Sequence, residues 1–181
     1  MTDRYNHYFD ISEQYAKKYD LKTNPNKPGW NDELDAFRHA YMQADLSNKY
    51  GSKAAKFLGD IHENIYDKLF TIQPHKEKNM DLWNNNIGRQ VSNEVDKQTK
   101  ILKNLTSPQI RQDITAENIY NKIKEGKLIT NPNDSRVYTE PTLFDKAMQG
   151  WDFLTYFKTT IESATGIFKN MAGNLQSAQR T

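Results

Sequence analysis

The feature that most constrains this chain is the spacing of its apolar residues, which recur every three or four positions in segment after segment. Tyr8, Ile11, Tyr15 and Tyr19 mark one face of a helix from about Arg4 to Tyr19. Trp83, Ile87, Val91, Val95 and Leu102 do the same for a long helix from about Met80 to Leu105. Alternation of apolar and polar residues never runs far enough to suggest a half-buried strand. The pattern predicts an all-α fold, a multi-helix bundle.

Turn chemistry divides the helices. Lys22–Gly29 reads as a loop, and Asn31 or Asp32 can cap a second helix that runs to about Lys49 and stops at Gly51. Ser52 opens a third, through Phe70; Pro74 with the charged run His75–Lys78 reads as a connector. Ser107-Pro108 and Thr115 read as two further helix starts, and Gly126 as a stop. Next comes a loop-rich segment around residues 127–142, with one short extended piece at Arg136–Thr139. Phe144, Met148, Trp151, Leu154, Phe157, Ile161 and Phe168 predict a C-terminal helix from Leu143 to Met171, and 174–181 reads as a flexible tail. The expected organisation is one helical domain over residues 1–173, with its motif-bearing core at 31–105.

Composition narrows the function classes. Hydrophobic residues make up only 36% of the chain, yet 12% is aromatic and 10 residues are tyrosine. Disordered chains are poor in aromatics, so this composition describes a polar surface over an aromatic-stocked core. With 25 basic and 23 acidic residues the formal charge is +2, which gives no strong nucleic-acid signature. The absence of cysteine excludes a disulfide scaffold, a thiol nucleophile and a thiolate metal site. No stretch approaches the ~18 apolar residues of a membrane span. The N-terminal MTDRYNHYFD lacks the apolar run of a Sec signal peptide. A soluble protein is expected, exported, if at all, by a specialised system. The amphipathic stretch 144–168 offers a membrane-surface contact, although its helical spacing favours core packing. There is no G-x-S-x-G, P-loop or dinucleotide fingerprint.

Three polar blocks remain. On the second helix Asp35 and His39 are four residues apart, and Arg38 lies three from Asp35. The helix is apolar on two sides, with Leu34, Phe37, Ala40, Tyr41 and Ala44 on one and Met42 and Leu46 on the other, so it should be central. A carboxylate beside an imidazole can orient its tautomer or share a metal, or the trio can simply brace the helix. The third helix carries Gly59-Asp-Ile-His-Glu63, with an expected core face of Ala54, Leu58, Ile61, Ile65 and Leu69. His62 flanks that face, while Asp60 and Glu63 point more outward. The second histidine of a zinc-protease motif is missing, because position 66 is Tyr. The third block, Met80-Asp-Leu-Trp-Asn-Asn-Asn-Ile-Gly-Arg89, places Asn84 on an apolar face and a glycine inside a helix. Either the run is helical with a buried asparagine, or the helix begins later and Asp81 caps it.

In order, these blocks resemble an uncharacterised bacterial domain family whose members read DAFRHAYW, GDAHE and MDLHNNAVGR. The resemblance spans about residues 31–90, and Trp83 stands where that family often has histidine. Such domains occur alone and in secreted or polymorphic-toxin-like proteins. The resemblance implies that Asp35, Arg38, His39, Asp60, His62, Glu63, Asp81, Asn84, Asn85 and Arg89 converge between consecutive helices. Two histidines with several carboxylates suit a divalent ion with N/O ligands, zinc or manganese. The ligands would be His39 and His62 with Asp35, Asp60 or Asp81. Glu63 would be the general base, and Arg38 or Arg89 would stabilise developing negative charge. Without a metal, His39 or His62 would work with Glu63 as an acid–base pair. Asn84 and Asn85 are expected to be structural. The implied activity is a hydrolase acting on a phosphoester, lipid or cell-envelope substrate, as an antibacterial effector with an immunity or chaperone protein as partner. The alternative is a non-catalytic helical interaction protein whose polar blocks form a buried structural network.

Overall fold

The chain buries its apolar stripes by wrapping four helices around a fifth. The structure, a computed structural model, describes the backbone of residues 2–69, 75–100 and 107–141, with side chains from residue 7 onward except those of 64–69. The helices are α1 (Thr2–Tyr19), α2 (Glu33–Tyr50), α3 (Ser52–Leu69), α4 (His75–Lys100) and α5 (Pro108–Lys124), and no strand occurs among the described residues. The chain divides into two compact units, Met1–Thr139 and Glu140–Thr181, and all five helices belong to the first. The expected C-terminal helix, the tail, the end of the long helix past Lys100 and the boundary at 173 lie outside the described residues.

The apolar pattern of α2 explains its place, because it packs against each of the other four helices. Asp32 caps its start: one carboxylate oxygen accepts from Asp35 N at 2.9 Å, and the other accepts from Gly29 N and Asn24 N. Gly51 ends it at φ +85°, a conformation that side chains resist, with its N–H on Ser47 O. Between these caps Phe37, Ala40 and Tyr41 meet an aromatic ladder. Tyr15 packs at a tilt against Phe37 and Tyr41 with ring centroids 5.9 and 5.8 Å apart, and Tyr19 lies flat on Tyr120 at 4.4 Å. Each pair adds of order 0.5–1.5 kcal/mol beyond its area burial.

The closest helix approach is between α2 and α4. An added Cβ at Gly88 would lie 2.9 Å from Ala40 Cα and C, and closer still to its carbonyl oxygen. The mid-helix glycine is therefore a packing device. It costs about 1 kcal/mol of helix propensity, and close contact of two backbones is what it permits.

Several local expectations are corrected. His75–Lys78 is the first turn of α4, not a connector. Its polar residues are helical because tertiary partners hold them: Glu77 accepts from Asn31 Nδ2 at 2.9 Å, and Lys76 reaches Asn133. The three-asparagine run is therefore inside the helix. Ser107 does cap a helix, accepting from Ile110 N, but Thr115 starts none. Its hydroxyl donates to Arg111 O one turn back, and α5 continues through it. Arg136–Thr139 lies outside any helix or strand, within the expected loop-rich segment. It belongs to a strap over α4, clamped by two asparagine side chains. Asn79 donates to Arg136 O and accepts from Tyr138 N; Asn84 donates to Ile129 O at 2.8 Å and accepts from its N–H at 2.9 Å. On α3, Asp60 and Glu63 are buried rather than outward, while Ala54, Leu58 and Ile61 are only partly covered. Gly59 lets this polar edge face α2 and α4, since a Cβ there would lie 2.6 Å from Gln43 Nε2.

Two substitutions test this packing. Gly88→Ala should lower stability by about 2 kcal/mol or more, because the backbone collision outweighs the propensity gained. Thermal unfolding reads this as a fall of roughly 4–8 °C, and an unchanged melt would contradict the close approach. Asn84→Ala should cost about 2–3 kcal/mol and leave the Ile129 amide exchanging faster than its neighbours, measured by hydrogen exchange.

Candidate metal centre

His39 sits at the meeting of α2, α3 and α4. On its Nε2 side, Asp35 Oδ1 lies at 3.6 Å and Asp81 Oδ1 at 3.4 Å. On its Nδ1 side, Asn85 Oδ1 lies at 3.4 Å and Glu63 Oε1 at 3.7 Å, and Asn85 Nδ2 donates to that same Glu63 oxygen at 3.3 Å. Helical spacing supplies Asp35 from within α2, and the Gly88 contact brings α4 close enough for Asp81 and Asn85 to reach the ring. One ligand atom each from Asp35, His39 and Asp81 lie within 4.8 Å of one another. These three residues can hold a metal ion.

Arg38 binds one member of this group from its edge. Its Nη2 donates to Asp35 Oδ1 and, at 3.1 Å, to Gly29 O, while Phe9 covers the guanidinium at 4.2 Å. Asn31 N donates to the other Asp35 oxygen at 2.8 Å. One oxygen of Asp35 is thus held by Arg38 of α2 and the other by the loop before α2. A small cleft opens beside the group and is lined by Tyr8, Arg38, His39, Met42 and His62. The two histidines therefore share one solvent-reachable space.

Their electrostatics differ. Burial alone would depress the His39 pKa, but Asp81, Asp35 and Glu63 together overcome it, so the imidazolium is favoured and the pKa is raised. At His62 burial prevails. With the positive charges of His39 and Arg38 it lowers the pKa to about 4, so this ring is neutral at pH 7.

Two predicted site residues lie elsewhere. Asp60 is paired with Lys56 at 2.9 Å and is not among the carboxylates around His39. Arg89 is bonded to Gln43, Asn86 and Tyr138. Asn84 faces the strap, as a structural asparagine would, but Asn85 touches His39 directly. Trp83, in the place of the expected histidine, donates its indole N–H to Lys127 O at 2.8 Å and so anchors the strap. Tyr8 and Gln43 escaped sequence reading. Gln43 is one turn beyond His39 and faces Gly59, a spacing that points to it in retrospect; nothing in the sequence brings Tyr8 to the cleft.

In chelator-treated protein, the NMR titration of His39 should have its midpoint above 6.5 and that of His62 near 4. The raised His39 value contributes stability that is full below about pH 6.5 and lost as pH rises through the folded midpoint. The lowered His62 value opposes folding progressively as pH falls from about 6.5 towards 4. His62→Gln should therefore gain on the wild type at pH 4.5 relative to pH 7.5. Reversed midpoints would contradict the carboxylate ring around His39.

No solved structure matches the chain. A sequence family described as a domain of unknown function (DUF6973) matches residues 6–127, which takes in most of α1 and all of α2 to α5. The match covers more than half of the sequence, and the chain belongs to that family.

Proposed function

We propose that this protein is a bacterial hydrolase that works with a divalent metal ion. The observation that carries the reading is the convergence of Asp35, His39 and Asp81, of which His39 also lines a cleft. The donor set fits zinc or manganese, being one imidazole nitrogen with carboxylate oxygens and no sulfur. With His39 neutral, as a ligand must be, the ionised Asp35, Asp81 and Glu63 bring three negative charges to the site against the single positive charge of Arg38. A dication restores the balance. Three protein ligands also leave room for water or substrate, as catalytic sites require.

A bound ion would supply Lewis acidity and an activated water for attack on a phosphoester, lipid or cell-envelope bond. The remaining work falls to the chain's own side chains. His39 offers Nε2 as a ligand only if Nδ1 carries the proton, and Asn85 Oδ1 and Glu63 Oε1 stand on that side to accept it. Glu63 thus serves as the orienting partner of a ligand rather than as the general base. Arg38 and Asn31 fix the Asp35 carboxylate. His62, neutral and on the cleft wall, is the residue to pass a proton to or from substrate. In its finer form the proposal is a secreted antibacterial effector, kept inactive by an immunity or chaperone protein.

A second reading draws on the Asp35 contacts. Both of its oxygens already accept hydrogen bonds within the fold, as they would in a purely structural brace of an interaction protein. Calorimetry with zinc or manganese on metal-free protein separates the two. The hydrolase reading expects one ion bound, lost in His39→Ala and Asp81→Asn and weakened about 10–100-fold in Glu63→Gln. Hydrolysis of phosphoester or lipid substrates, and growth inhibition on expression, should vanish in the same variants. If no ion binds and the variants are only less stable, the structural brace stands.

A further inference from the structure

One turn along α4 from Asn85, and one turn along α2 from His39, the polar layer between the helices changes sign. Arg89 is 6% exposed, and among the described residues its hydrogen bonds all end on neutral oxygens. Nη1 donates to Gln43 Oε1 at 3.3 Å; Nη2 donates to Asn86 Oδ1 at 3.2 Å and to the Tyr138 hydroxyl at 3.3 Å. A buried guanidinium ordinarily meets a carboxylate, with charge-assisted bonds of about 2.7–2.9 Å, because desolvating it costs several kcal/mol. These bonds are longer, and the neighbouring cation, Lys56, already takes up the charge of Asp60.

Gln43 supplies an independent observation. It is completely buried, its Oε1 is engaged by Arg89, and among the described residues its amide Nε2 has no hydrogen-bond partner. Leaving such a group unpaired costs about 1–3 kcal/mol. Gly59 makes the room for that amide, since a Cβ would lie 2.6 Å from it. Around His39 the layer is rich in acceptors; here it is rich in donors. A donor-rich, positively charged buried site is matched by a ligand that has only acceptors and carries negative charge.

We propose that Arg89 and Gln43 form an oxyanion site of the phosphate class, in which the Tyr138 hydroxyl is a displaceable acceptor. The covering residue is suited to this because it comes from the strap rather than from a helix. Its backbone N–H stays on Asn79 Oδ1 at 2.8 Å, so the strap stays clamped while the ring, with Lys56 at 5.8 Å from its centroid, is the part that moves. The entering anion accepts from the guanidinium fork and from Gln43 Nε2, which satisfies the unpaired amide. The site does not depend on a metal at His39.

The test is inorganic phosphate titrated into the full-length, chelator-treated protein, followed by calorimetry and by NMR of the arginine side-chain N–H groups. The expected result is saturable binding that moves the Arg89 resonances, weakened about tenfold or more in Arg89→Met and unchanged within about twofold in His39→Ala. If Arg89→Met does not fold, Gln43→Met removes the amide donor and should weaken phosphate several-fold, and the wild-type NMR shift still decides. Absence of binding up to about 50 mM phosphate overturns the proposal, since the weakest specific complexes are millimolar. Binding that survives Arg89→Met, or that moves Arg38 in place of Arg89, does so too. Because the metal is absent, failure here leaves the hydrolase reading standing, and a metal-free His39 site leaves this one standing.

Discussion

The polar layer between α2 and α4 depends on one backbone contact, that of Gly88 on α4 with Ala40 on α2. A side chain at either position larger than the one present would push the helices apart, towards the usual 8–10 Å between axes. Asp81 and Asn85 sit on the same helix as the glycine, within two turns of it. Their short side chains reach His39 only because the helices are this close. Longer residues would bridge a wider gap, but with more rotamer freedom and less definite geometry. The stability lost to a mid-helix glycine is in this way exchanged for short, stiff polar groups in fixed positions.

The layer built on that contact is electrostatically divided. Three carboxylates surround one imidazole at the Asp35–His39–Asp81 end, and a guanidinium with neutral partners occupies the Gln43–Arg89 end. Asn85 and Gln43 lie between the two. Neutral amides are apt there, since each presents a donor and an acceptor and can join groups of opposite preference. Gly59 completes the arrangement from α3 by admitting the Gln43 amide, as Gly88 does from α4 by admitting Ala40. Two glycines, on different helices, thus shape one polar layer. The strap seals it from outside, held by Asn79 and Asn84, whose amides pair with the strap backbone as a neighbouring strand would.

Much of this was legible from residue order. The period of Tyr8, Ile11, Tyr15 and Tyr19 is the period of α1, and the two apolar sides of α2 put it in the middle. His39 and Asp35 are neighbours by helical spacing alone. The misreadings share a cause. His75–Lys78 looked too charged for a helix and Thr115 looked like a cap, yet each is settled by a partner distant in sequence or by the turn already formed before it. On α3 the apolar stripe pointed to one buried face, but the absent side chain of Gly59 decided which edge could come closest.

The sequence by itself determined the all-α class, the centrality of α2, a cap at Asn31 or Asp32 and a cysteine-free donor set limited to nitrogen and oxygen. These are local or compositional, and local spacing and residue chemistry are written in chain order. Tertiary structure alone decided that Asp81, Asn85 and Glu63 gather on His39 while Asp60 and Arg89 do not, and that Tyr138 covers Arg89. Those pairings cross 22 to 49 residues of chain. They rest on ångström-scale helix separation, which only the packed side chains, and the glycines where side chains are missing, can set.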